Sequence, residues 1–359
     1  MAAESTLRVG ILGAGDNTRR RHIPGLQAID GVEIVAVCNR SRASSQRVCD
    51  AFNIPRAEEN PDAVLGDPQI DAVVIGTWPY MHCPFTLKAL EQGKHVMTEA
   101  RMAMNGDEAE QMLAASRARP ELVTQVVPSP FTLHYDHLVR ELVEQRIGGL
   151  VGVRATLGLG GPAQFEGAAK TWRRNERYSG HNVMMLGIYY EAMMRWLGPV
   201  ARLAAQARVI VDRGENPETG QEEPITIPDH LAILGRMQRD DASFELMMSS
   251  VAGFDTTQEV WIYGRDGSIH VDLAGHALAV GTRGDEAMQA VDIDARREPG
   301  WRVEEEFINA IRGREPIRFT TFEDGLRYMR FTDAVHESAR TGQMVEVVNE
   351  TSDEKLSHG

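Results

Sequence analysis

The sequence predicts an α/β chain in two parts: an N-terminal doubly wound parallel sheet, then an α+β domain built on a large, mostly antiparallel sheet. Three observations carry this prediction. At 359 residues the chain exceeds what one hydrophobic core usually organises, so two domains are expected. Its first third alternates short β-branched runs with helical patterns. Beyond about residue 150, longer extended stretches follow one another with fewer helices between them.

Residues 7–12, 34–38, 72–75, 95–97 and 122–127 read as strands, and residues 20–29, 44–52, 84–92 and 106–117 as the helices between them. Such alternation implies parallel pairing, because a parallel neighbour is reached only through a crossover. Gly93 reads as a helix stop. In the second half, residues 151–159, 201–211, 230–238, 242–250 and 259–273 read as strands, and 182–196, 302–312 and 324–341 as helices. Residues 212–229 carry Gly214, Pro217, Gly220, Pro224 and Pro228 among acidic residues and read as an exposed insertion. The expected domains are 5–128 and 129–347, with a disordered tail at 348–359.

A 42% hydrophobic share with 25% charged residues is a globular composition, and no apolar run is long enough to span a bilayer. The formal charge of −14 disfavours nucleic acid, and the short cluster Arg19, Arg20, Arg21 does not overturn that. The N-terminus has no basic segment leading into an apolar one, so a cytoplasmic chain is expected. Cys38, Cys49 and Cys83 lack a metal-type spacing and read as reduced, packed thiols; no His-Glu-x-x-His or similar pattern occurs, so no metal is expected.

The chemistry begins directly after the first strand, at Gly13-Ala14-Gly15-Asp16-Asn17-Thr18. Gly13 permits a tight turn, Gly15 lets backbone approach a pyrophosphate, and the helix that follows offers unpaired N–H groups to the anion. In this context the loop points to a Rossmann dinucleotide site. An NAD site usually places a carboxylate at the end of the second strand; here stand Asn39, Arg40 and Ser41. Guanidinium and hydroxyl groups suit a 2′-phosphate, so NADP is favoured over NAD.

Further segments extend the pattern: His22-Ile23-Pro24, Asp71 to Thr77, His82, Ala89 to Val96, Arg195-Trp196-Leu197-Gly198, Glu323-Asp324-Gly325, Asp333-Ala334-Val335 and Glu337-Ser338-Ala339. In order and spacing the chain resembles the glucose-fructose oxidoreductase, inositol dehydrogenase and rhizopine-catabolism family, Gfo/Idh/MocA. The resemblance implies an NAD(P)-dependent oxidoreductase of sugars, cyclitols or related polyols, the substrate bound between the two domains. It also implies a homodimer or homotetramer formed through the outer face of the second sheet. It places His82 beside the nicotinamide and Glu99 near the nicotinamide ribose, with Thr77 and Trp78 as further cofactor contacts.

The positions that carry chemistry depart from that family. Its Glu-Lys-Pro is Glu99-Ala100-Arg101 here, and its Asp-x-Gly-x-His has become Met185-Leu186-Gly187-Ile188-Tyr189. The turn after the strand at 72–75, Thr-Pro-Asn in the family, is Thr77-Trp78-Pro79, and the strand at 122–127, which there ends in Asn-x-Arg, ends Val127-Pro128-Ser129-Pro130. A replacement proton-transfer group is therefore required. Candidates are Tyr189, its phenol lowered by a cation such as Arg101, and His181, read as standing at the start of the helix that carries Tyr189. Trp172, Arg173, Asn182 and Tyr190 are candidate substrate contacts. Three readings stay open: a dehydrogenase with a non-standard relay, a redox-neutral enzyme that recycles a tightly held NAD(P) while cleaving or rearranging a glycoside, and a catalytically silent dinucleotide- or sugar-binding subunit.

Overall fold

The computed structural model describes residues 6–160, 171–216, 219–294 and 300–349. Strands β1 (Leu7–Leu12), β2 (Val32–Cys38), β3 (Arg56–Glu58), β4 (Ala72–Ile75), β5 (His95–Thr98) and β6 (Thr124–Val126) form one sheet in the order β3-β2-β1-β4-β5-β6. Every neighbouring pair is parallel. The order reverses between β1 and β4, and such a switch point opens a crevice at the carboxyl ends of the strands. The continuous apolar runs of β1 and β4 follow from burial on both faces. Helices α1 (Ile23–Gln27), α2 (Arg42–Phe52), α3 (Asp62–Leu65), α4 (His82–Glu91) and α5 (Gly106–Arg117) accompany these strands. Ser41 caps α2 by accepting the Ser44 N–H, and Asn105 caps α5 by accepting the Glu108 N–H.

The chain continues through α6 (Asp136–Gln145), β7 (Leu150–Gly158), α7 (Glu176–Ser179), α8 (Leu186–Leu197), β8 (Val200–Arg208), β9 (Arg213–Glu215) and β10 (Glu222–Pro224). Then come β11 (His230–Met237), β12 (Ser243–Ser249), β13 (Gln258–Gly264), β14 (Gly267–Asp272), β15 (Ala277–Thr282), β16 (Gln289–Val291), α9 (Val303–Ile311), α10 (Phe322–Thr341) and β17 (Val345–Glu346). A nine-stranded sheet runs β16-β15-β14-β13-β7-β12-β11-β8-β17. Its pairs are antiparallel except β7 with β12. Register places Val153, Phe244 and Ile262 side by side on its buried face, with Arg154, Glu245 and Trp261 on the other. Tyr190 of α8 and Phe331 of α10 stack 3.6 Å apart over Phe244 on that buried face.

Two compact units result: Met1–Pro128 with Arg302–Leu326, and Ser129–Trp301 with Arg327–Gly359. The α/β class with a parallel first sheet and a mostly antiparallel second one is as the sequence predicts.

Several elements differ from expectation. Residues 259–273 are two strands, β13 and β14, joined by a tight turn at Arg265 and Asp266. The helix expected from residue 182 begins at Leu186. Within residues 212–229, β9 and β10 pair, and Ile225, Ile227 and Asp229 are buried, so only part of that insertion is exposed. The Asp229 carboxylate accepts the Ile210 and Val211 N–H groups, which returns the segment to the core. Pro217 and residues 350–359 of the expected tail lie outside the described residues. Among the described residues no helix is long and apolar enough to cross a membrane. Cys38, Cys49 and Cys83 are free and buried, and burial pushes the Cys38 and Cys83 thiols up to about 11, which makes them packing groups at neutral pH.

Candidate functional site

Gly13 leaves β1 with φ +84°, and a Cβ there would stand 2.7 Å from the Thr77 backbone nitrogen. Only glycine lets the ends of β1 and β4 approach so closely. Thr18 Oγ1 donates to the Gly13 carbonyl at 3.3 Å, and Asn39 Oδ1 accepts the Ala14 N–H at 2.7 Å while its Nδ2 donates to the Ser44 carbonyl at 3.2 Å. Thr18 and Asn39 therefore brace the loop. The helical segment that follows opens at Asp16, earlier than expected, and takes a π turn over Thr18–His22 before α1.

Along this loop runs a cavity of about 870 Å³. Of the predicted cofactor contacts, Gly13, Gly15, Asp16, Asn39, Arg40, Thr77 and Trp78 line it, whereas Asn17, Thr18, Ser41, His82 and Glu99 do not. The Arg40 guanidinium lies 5.3 Å from the Trp78 ring centroid, which ties the end of β2 to the turn after β4. Ser41 is used as the α2 cap, and Ser44 and Arg47 line the cavity in its place. Ser44, Arg47, Val48 and Ala51 follow one face of α2, a signal legible in the sequence. Arg19, Arg20, Tyr80 and Glu59 complete the polar part of the lining. A glycine-bordered cavity with open helical N–H groups and several guanidinium groups fits a dinucleotide phosphate.

The remaining predicted contacts of this unit form a separate network. Glu99, just past β5, accepts at Oε1 from Asn17 Nδ2 (2.6 Å) and from His22 Nε2 (3.0 Å). On its other side His22 Nδ1 donates to Glu304 Oε1 of α9 at 2.5 Å. His22 is fully buried. Burial acts to lower its pKa, but the hydrogen bonds to Glu304 and Glu99 and both negative charges outweigh that and raise it to about 9. For Glu99, burial acts upward, and the His22 and Asn17 contacts bring the carboxyl below its ordinary range. His82 is also buried; Nε2 contacts the Thr77 carbonyl at 2.9 Å and Nδ1 the Arg101 carbonyl at 3.0 Å, so it links the segments after β4 and β5. Burial lowers its pKa. Arg101 is buried as well.

In the second unit, Tyr189 is buried, stacks on Phe131 at 4.8 Å, and donates to Gln258 Oε1 at 2.8 Å. Burial pushes its phenol up to about 12, the opposite of the cation-lowered phenol that the sequence suggests. Tyr190 is a core residue, not a presented ring: beyond its stack on Phe331, its hydroxyl accepts the Val200 N–H at 2.9 Å. His181 does not begin a helix. It follows the turn at Gly180, five residues before α8, donates from Nδ1 to Asp333 Oδ1 at 2.7 Å, and stacks on His336 at 4.0 Å. Trp172 and Arg173 sit in a short 3₁₀ turn, the guanidinium 4.3 Å from the indole centroid, so Arg173 covers one indole face itself. Asn182 is buried and donates to the Ser179 carbonyl at 2.6 Å.

The Arg195-Trp196 pair has a structural task. Arg195, buried on α8, pairs with Asp136 of α6 at 2.9 Å and with Glu191, and Trp196 Nε1 donates to Asp136 at 2.8 Å. Glu191 also accepts the Ser129 N–H at 3.0 Å. Neither Asp136 nor Glu191 was singled out in the sequence: the partners of Asp136 lie about 60 residues along the chain, and Glu191–Arg195 has the i,i+4 spacing of an ordinary helix-surface pair.

A parallel β3-β2-β1-β4-β5-β6 sheet with a glycine loop at its switch point defines a dinucleotide-binding α/β protein. Residues 7–127 match the oxidoreductase family with an NAD-binding Rossmann fold, Gfo/Idh/MocA, and residues 137–270 match the Gfo/Idh/MocA C-terminal domain. The chain belongs to the Gfo/Idh/MocA family of oxidoreductases. It is 25% identical over 363 residues to D-glucoside 3-dehydrogenase of Escherichia coli, covering 96% of this chain and 98% of that one. It is 26% identical over 352 residues to D-xylose 1-dehydrogenase (NADP(+)) 2 of Haloferax volcanii, covering 94% and 99%. Among solved structures, levoglucosan dehydrogenase in complex with NADH and L-sorbose shares the fold at a TM-score of 0.85, with 19% identity and coverage of 96% and 99%.

Proposed function

We propose that this protein is an NADP-preferring oxidoreductase of a sugar or related polyol whose proton-transfer group is His181. The observation that carries the cofactor reading is the glycine-bordered cavity in which Arg40, Ser44 and Arg47 occupy the place where a ribose-binding carboxylate would favour NAD. The sugar class is supported by the relatives named for glucoside and xylose oxidation. A nicotinamide bound there supplies hydride transfer; the chain's own residues must orient it and move the substrate hydroxyl proton.

For that proton, the Asp333 carboxylate accepts from His181 Nδ1 at 2.7 Å, which orients the imidazole. Tyr189 is a poorer base, since its phenol is raised to about 12 and already donates to Gln258. A homo-oligomer through the outer face of the nine-stranded sheet is supported by the exposed Leu234 and Met247 there; light scattering of the purified protein tests it.

The test is a pair of measurements. Fluorescence titration should give NADPH the tighter binding, and Arg40→Ala should erase about 1–2 kcal/mol of that preference. A preference for NADH in the unaltered protein would refute the 2′-phosphate reading. Against a panel of aldoses and glucosides, His181→Ala should lower kcat by about 10²–10⁴. A rate within twofold of the parent would remove His181 from the relay.

A further inference from the structure

Glu99 sits one strand beyond Thr77 along the carboxyl edge of the sheet, since β5 neighbours β4. In a sheet of this order a dinucleotide lies across that edge, one nucleotide half over β1–β3 and the other over β4–β6. The guanidinium-rich cavity at the ends of β2 and β1 takes the adenosine half, which leaves the nicotinamide half on the side of Glu99. Oε1 of Glu99 receives two donors, while Oε2 accepts no hydrogen bond among the described residues and the side chain keeps 15% exposure. One oxygen is clamped and the other is open, so the carboxylate is an acceptor aimed before any ligand arrives.

The clamp depends on local backbone geometry. Asn17 and His22 are five residues apart, which on an α-helix separates them by about 140°. The π turn at Thr18–His22 is wider, links residues five apart, and brings both side chains to the same carboxylate oxygen. Behind His22 stands Glu304, and Gly25 makes room for it: a Cβ at Gly25 would lie 2.9 Å from Glu304 Oε2. The charged groups facing His22 are Glu99 from the β5 end and Glu304 from α9, and the His82 ring of α4 lies within electrostatic range of Glu99.

We infer that His22, backed by Glu304, is a positioning residue for the cofactor: with Asn17 it holds Glu99 so that Oε2 accepts from a hydroxyl of the nicotinamide-side ribose. This rests on the reading of the first unit as an NAD(P) site. Neither His22 nor Glu304 touches the ligand; both act through Glu99. The imidazole stays charged up to about pH 9, so the clamp persists across the neutral range and loosens above it.

The experiment compares two probes by calorimetry on the full chain at neutral pH: whichever of NADPH and NADH binds the parent more tightly, and ADP, which lacks the nicotinamide ribose. His22→Gln should weaken the whole dinucleotide about tenfold, the loss of roughly one well-aligned hydrogen bond to a charged group, and leave ADP within about twofold. Glu304→Gln, which keeps the imidazole, should shift the dinucleotide in the same selective way by a smaller factor, and carries the test alone if His22→Gln does not fold. Dinucleotide affinity of the parent should fall between about pH 8 and 10, and that of His22→Gln should not follow it. Equal loss of ADP and dinucleotide would assign His22 to general stability and overturn the inference. So would unchanged dinucleotide affinity in a parent that binds and variants that bind equally well. A parent that binds neither nucleotide would overturn the cofactor reading and this inference with it.

Discussion

Each unit buries a cation between two carboxylates, and the two clusters are built for different work. In the second unit Arg195 lies between Asp136 and Glu191, and these groups also engage Trp196 and the Ser129 N–H. Guanidinium does not titrate in any accessible range, so the cluster is a permanent fastening between α6 and α8. In the first unit the cation is an imidazole, and one of its carboxylates keeps an oxygen open. That cluster titrates, and it ends where a ligand can reach it. A buried ion pair is weak evidence for stability by itself, and what separates a fastening from a device is whether any member has bonding capacity left over.

The largest expected effect tests the fastening. Arg195→Leu leaves Asp136 and Glu191 buried without their cation and should cost about 3–5 kcal/mol in urea unfolding. A cost below about 1 kcal/mol would show that water or a proton compensates, and the contrast between the clusters would collapse.

The pH dependence of stability comes next. His22 rises from 6.5 to about 9 on folding, so its contribution is fully present below about pH 6.5 and is lost as pH climbs through 9. That rise corresponds to roughly 3 kcal/mol. Thermal unfolding of the parent from pH 6 to 10 should show that decline, and His22→Gln should flatten it. Arg195→Leu should lower the whole curve and keep its slope. A parallel decline in His22→Gln would place the titration elsewhere.

Tyr189→Phe supplies a neutral yardstick. It removes one hydrogen bond and leaves Gln258 Oε1 unsatisfied, for about 1–2 kcal/mol of stability. With His181 as the proton-transfer group, kcat should change by less than tenfold, and a larger drop would return the relay to the phenol.

The legible parts of this structure are those whose cause is local. The strand runs of the first sheet and the glycine loop were readable because burial on both faces and a forced backbone turn each leave a signature in consecutive residues. Arg40 could be read from its place after β2. The three residues of β3, Arg56-Ala57-Glu58, are too short a run for their alternation to announce an edge strand. The apolar positions Val139, Leu142 and Val143 of α6 do stand at helical spacing, and that helix could have been anticipated. The β13–β14 turn is only two residues, Arg265 and Asp266, between like-patterned runs, so it merged into one long strand. The site behaved in the same way. Tyr189 and Tyr190 are adjacent and alike in sequence, yet one meets Gln258 and the other Phe331, partners fixed by tertiary packing. His22 was visible in His22-Ile23-Pro24, but its partner Glu304 lies 282 residues away.

That distance has a consequence for how the molecule is made. A ribosome adding about 5–20 residues per second takes on the order of tens of seconds to pass from His22 to Glu304. For the later part of that interval the glycine loop, β1 to β6 and Glu99 have already been made while the imidazole lacks its second carboxylate. The nascent first unit is thus provisional, and a stretch translated much later than the glycine loop closes its polar interior.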